Sequence, residues 1–94
     1  MTHYVYMLLL QNGQIYVGSS TNPEERFKTH LTGQGSIATR KSQPIKILYT
    51  EPFSDPSSAI RRERQLKRWS RAKKLALANG QLTKLKELSK RRQK

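Results

Sequence analysis

Tyr4-Val5-Tyr6-Met7-Leu8-Leu9-Leu10-Gln11-Asn12-Gly13-Gln14-Ile15-Tyr16-Val17-Gly18 is the stretch that decides the fold. Its first half is apolar on both alternating faces, with Tyr4, Tyr6, Leu8 and Leu10 on one and Val5, Met7 and Leu9 on the other. A strand covered on both sides is central in its sheet. Asn12-Gly13 is a hairpin turn signal, so Ile15 to Ser19 is expected to return antiparallel. Two registers are open. A two-residue Asn12-Gly13 turn pairs Gln11 with Gln14 and sends Tyr6 and Tyr16 to opposite faces. A three-residue Gln11-Asn12-Gly13 loop, with Gly13 left-handed, pairs Leu10 with Gln14 and Leu8 with Tyr16, and both tyrosines face one way. A shared site requires the second.

Further along, Asn22-Pro23-Glu24-Glu25 supplies an N-cap, a proline at the first helical position and acids in the first turn. That helix should run to about Thr32 and stop before the loop Gly33-Gln34-Gly35. Ile45 to Glu51 reads as a third strand with Pro44 at its entrance. Asp55-Pro56 opens a second helix reaching about Trp69, and Ser70 caps a shorter one closed by Asn79-Gly80. Leu82, Leu85 and Leu88 form a narrow stripe before a frayed basic end. The expected class is α/β (α+β): a three-stranded antiparallel sheet, first strand central, flanked by helices. One domain over 1–80 precedes a basic helical tail over 81–94.

The formal net charge is +13, and all of it lies after Thr39, because Arg26 and Lys28 are cancelled by Glu24 and Glu25. Such one-sided charge attracts nucleic acid by neutralising phosphates. Arg26, Lys28, Arg40, Lys41, Arg61, Arg62, Arg64, Lys67 and Arg68 are the candidate contacts. No run approaches a membrane span, and the basic helix has no broad apolar face to insert into an anionic membrane surface. Cysteine is absent, which excludes disulfides and thiolate-bound zinc and fits a cytoplasmic location.

Arg26 and His30 lie four apart on one helical face, beside an apolar edge made by Phe27 and Leu31. A guanidinium there can grip phosphate, and an imidazole can pass protons near neutral pH. Glu63 is the acid set among Arg61, Arg62, Arg64, Lys67 and Arg68. Its neighbours at offsets of three and four are Ala59, Ile60, Leu66 and Lys67, so it leaves the helix on the apolar side. An ion pair with Lys67 alone does not explain that inward placement. Of the six carboxylates, Glu24, Glu25 and Asp55 belong to helix starts and Glu87 to the tail. Glu63, and less readily Glu51, are left for a site, so at most one metal ion fits.

Tyr4-Val5-Tyr6, Tyr16-Val17-Gly18, the Asn22–His30 segment carrying Arg26 and His30, and Glu63 together resemble the GIY-YIG endonuclease domain in its small stand-alone bacterial form. The likeness runs from Tyr4 to about Asn79, with tyrosine in place of the first motif's glycine. It implies a central first strand and cleavage of DNA phosphodiesters with Mg2+ or Mn2+, with RNA as a possible competitor, and a role in DNA repair or processing. It also implies that Tyr6 or Tyr16 activates water with His30 assisting, that Arg26 steadies the phosphorane charge, and that Glu63 holds the metal. A distal asparagine of the family would fall on Asn79, which reads better as a helix cap. The alternative on the same scaffold is a nucleic-acid-binding protein without catalysis.

Overall fold

The computed structural model describes residues 1–33, 39 and 41–80. Strand β1 (His3–Leu10) is joined by a tight turn to β2 (Ile15–Ser20), followed by helix α1 (Pro23–Leu31), strand β3 (Pro44–Phe53), and helices α2 (Pro56–Lys67) and α3 (Arg71–Ala78). The sheet order is β2-β1-β3, antiparallel throughout, so the strand that is apolar on both faces is the central one. The Leu82, Leu85 and Leu88 stripe, the 81–94 tail and Arg40 lie outside the described residues.

The hairpin adopts the three-residue form. Leu10 and Gln14 close the loop through a 2.9 Å amide–carbonyl bond, and Gly13 sits at φ +85°. Tyr16 therefore pairs with Leu8, and Gly18 with Tyr6. Arg71 from the start of α3 donates its Nε–H to the Gly13 carbonyl at 2.8 Å, fastening the turn from across the chain.

Alternation along β1 divides the core into two layers. Tyr6, Leu8 and Leu10 are packed by Tyr16, Ile47 and Phe27, which places α1 on that face. Val5, Met7 and Val17 meet Ala59 and Leu66 of α2 on the other, with Tyr49, Phe53, Trp69 and Leu77 around them. The helix starts follow their caps: Asn22 accepts from the Glu25 amide, Asp55 from Ser58 and Ser70 from Lys73. Asn79 caps the end of α3, ahead of Gly80 at φ +70°.

Strand β3 is longer than its sequence suggests and irregular, with register shifts opposite Met7/Leu8 and Leu9/Leu10. The second shift leaves Ile45 unpaired with β1 and 54% exposed, an extra residue turned out of the ladder.

Candidate active site

Two tyrosines and a histidine meet on the α1 face. Tyr6 is 1% exposed, and its ring lies across Gly18: a Cβ on Gly18 would come within 2.6 Å of the Tyr6 hydroxyl oxygen and 3.1 Å of the Tyr16 ring. The close approach that glycine permits here is made by the neighbouring strand's tyrosine. Tyr16 lies diagonally across the strand pair, with ring centroids 6.3 Å apart. It also meets the His30 ring edge-on at 5.1 Å.

His30 occupies the last turn of α1 and is fully buried. Both of its ring nitrogens are engaged: Nε2 lies 3.0 Å from the Tyr6 hydroxyl and Nδ1 2.8 Å from the Thr39 hydroxyl. Burial pushes the His30 pKa below its ordinary value, and the Arg26 charge one turn earlier pushes it the same way. The imidazole is therefore neutral near pH 7. Burial raises the Tyr6 pKa and Tyr16 adds to this, while the half-buried Arg26 guanidinium opposes them and Glu63 contributes slightly upward. A phenol so placed keeps its proton at rest and gives it up when positive charge arrives.

Glu63 comes from the other side of the sheet. Its helix packs on the Val5–Val17 face, and Ser19, which pairs with Val5, donates its hydroxyl to Glu63 Oε1 at 2.6 Å. Lys67 Nζ sits 2.8 Å from Oε2. The carboxylate is only 19% exposed, so both the inward placement and the Lys67 pair are present. Since β2 is an edge strand, Glu63 and Tyr6 approach that edge from opposite faces, near enough for the Glu63 charge to act on the Tyr6 phenol.

No group of three or more His, Cys, Asp or Glu side chains converges among the described residues. Glu51, the other spare acid, is committed to Arg62 at 2.8 Å and to the Tyr49 hydroxyl at 3.0 Å. A single carboxylate of fixed orientation fits magnesium or manganese, which keep several waters and take further oxygens from a phosphate.

The remaining basic candidates separate by environment. Arg61, Arg64 and Arg68 are exposed and line a surface concavity with Gln65 and Trp69. Arg62 is instead half-buried, ion-paired with Glu51 and lying 5.2 Å from the Trp69 ring centre. Lys28 and Lys41 are exposed. No helix among the described residues is long and apolar enough to cross a membrane. Sequence reasoning overlooked Ser19 and Thr39: Ser19 lies near the end of a strand beside two further hydroxyl residues, Ser20 and Thr21, and the partner of each lies well along the chain.

The model of the GIY-YIG catalytic domain matches residues 2–76. A UPF0213 protein of Staphylococcus haemolyticus is 40% identical over 75 residues, which is 80% of this chain and 92% of that one. A UPF0213 protein of Xanthomonas axonopodis pv. citri is 42% identical over 78 residues, covering 83% and 76% respectively. Among solved structures, the solution NMR structure of a UPF0213 protein from Bacillus halodurans superposes with a TM-score of 0.53 at 37% identity, covering 84% of each chain. That of a protein from E. faecalis gives 0.58 at 34% identity, covering 85% of each.

Proposed function

The chain belongs to the GIY-YIG catalytic domain family, and on that footing we propose that it is a metal-dependent endonuclease hydrolysing DNA phosphodiester bonds. The observation that carries this reading is the 3.0 Å contact between the Tyr6 hydroxyl and a buried, neutral His30. A phenol is a poor base while it holds its proton, and here an imidazole stands ready to take it.

In the proposed reaction the Tyr6 proton passes to His30 Nε2, and the phenolate oxygen takes a proton from the attacking water. The water oxygen bonds to phosphorus as the bond to the leaving oxygen breaks, and that oxygen is protonated from solvent. Arg26 neutralises charge developing on the phosphate. Glu63, oriented by Ser19, would hold Mg2+ or Mn2+, and the ion when bound supplies positive charge against the phosphate and leaving oxygen. The exposed Arg61, Arg64 and Arg68 bind the backbone without reading bases, which suits weak sequence specificity or a preference for DNA structure, in repair or processing.

One contact favours a second reading, binding without catalysis: Lys67 already sits on Glu63 Oε2 where a cation would bind. The two readings separate on branched, nicked and single-stranded DNA, with RNA alongside, in magnesium or manganese. Loss of cleavage in Glu63→Gln and Tyr6→Phe with binding retained supports the enzyme. Absence of cleavage by the wild-type protein on every substrate rejects it.

A further inference from the structure

The far side of the His30 ring carries information that the Tyr6 side does not. A neutral imidazole has one N–H and one bare nitrogen, and both positions face hydroxyls, Tyr6 at 3.0 Å and Thr39 at 2.8 Å. Two arrangements satisfy both ring nitrogens. In one, Tyr6 donates to Nε2 while Nδ1–H donates to Thr39. In the other both bonds run in reverse. Only the first leaves His30 able to accept the tyrosine's proton.

We propose that Thr39 is a positioning residue that fixes His30 as the Nδ1–H tautomer and so keeps Nε2 bare toward Tyr6. The choice follows from acidity. A phenol titrates near 10, whereas an alkyl hydroxyl is far less acidic and resembles water. The phenol is the better donor and the alcohol the better acceptor, so the pair of bonds runs from Tyr6 through the ring to Thr39. Burial makes this selection firm: His30 and Thr39 are both 0% exposed, so water has little opportunity to satisfy the wrong tautomer. The same bond serves after proton transfer, when the imidazolium carries hydrogens on both nitrogens and Thr39 still accepts from Nδ1. A threonine nine residues beyond the histidine thereby sets the direction of proton flow.

This inference rests on the reading of Tyr6 as the group that activates water, yet it is testable without any substrate. With only two histidines in the chain, long-range proton–nitrogen spectra of the 15N-labelled protein can resolve the His30 ring. The wild-type protein should show Nδ1 protonated and Nε2 bare. Thr39→Val should shift His30 toward the Nε2–H form, and Thr39→Ser should restore the wild-type spectrum. On any cleavable DNA, Thr39→Val should lower kcat by roughly 10- to 100-fold with KM little changed, and Thr39→Ser should recover it. A wild-type Nε2–H tautomer overturns the proposal even if Thr39→Val fails to fold, and an unchanged Nδ1–H form in folded Thr39→Val overturns it as well. Wild-type protein that cleaves nothing while the spectra behave as described rejects the nuclease reading alone.

Discussion

Gly18 and Tyr6 face each other across the β1–β2 pair so closely that the phenol occupies the space a side chain at Gly18 would need. Tyr6 is buried and braced by Tyr16 and His30, so it has little room to yield. Gly18→Ala should cost about 1–3 kcal/mol of stability and break the Tyr6–His30 contact, abolishing cleavage. Denaturant melts and the His30 ring spectra read the two effects. Gly13→Ala is the contrast: a Cβ there meets nothing within 4 Å, so the strain of φ +85° should cost about 1 kcal/mol and spare the site.

Glu63→Gln should leave the fold intact, because an amide oxygen still accepts from Ser19 and the lost i,i+4 pair with Lys67 contributes at most about 0.5 kcal/mol. Mn2+ binding, read by water-proton relaxation, should disappear with the charge. Lys67→Met removes the competing ammonium and should tighten Mn2+ binding. Unchanged Mn2+ affinity in Glu63→Gln would place the ion elsewhere.

Stability should fall at both ends of the pH scale. The folded pKa of His30 lies below 6.5, so the unfolded chain binds the extra proton first as pH falls. His30's contribution is therefore complete above 6.5 and is lost as pH drops toward the folded value. Tyr6 is the mirror case: raised above 10.0, it contributes fully below that value and loses the contribution as pH climbs further. Tm measured against pH should show both flanks. His30→Gln should reduce the acid one and Tyr6→Phe the alkaline one, to which the raised Tyr49 also contributes.

The arginines of α2 should divide into two classes. Arg62→Ala leaves half-buried Glu51 without its ion-pair partner and should destabilise by about 1–2 kcal/mol. Arg61→Gln, Arg64→Gln and Arg68→Gln should each leave Tm almost unchanged. Each should instead reduce the salt dependence of duplex binding by up to about 0.9 in log–log slope, measured by fluorescence anisotropy. A slope unaffected by all three together would mean that this helix face does not meet DNA.

Local sequence signals account for much of this architecture. Asn22, Asp55 and Ser70 act as the caps their positions suggest, and β1 is central because it is apolar on both faces. The shared face of Tyr6 and Tyr16 follows only on condition of a three-residue loop, which local signals alone leave open. The bulges in β3 are not legible in the sequence, since an extra residue in a ladder carries no local mark when neighbouring side chains are all compatible with a strand. Nor are Ser19–Glu63 and Arg62–Glu51, whose pairings arise from the way α2 lies on the sheet. For Thr39, the sequence offers a polar residue after a glycine-containing loop and no reason to bury it.

The Arg71–Gly13 bond bears on the order in which the molecule assembles. Asn12-Gly13 also fits a two-residue turn, which would slip the hairpin by one position and separate the tyrosines. The hairpin is thus locally ambiguous: its tip admits two registers and the packed protein only one. An isolated 3–20 peptide should populate both pairings. In the intact chain, packing of Tyr16 and Val17 on opposite faces and the Arg71 clamp, 58 residues along, select the three-residue form. The Arg71 bond thus ties α3 to the hairpin that carries Tyr16, so docking of α3 reinforces the register that brings the tyrosines together.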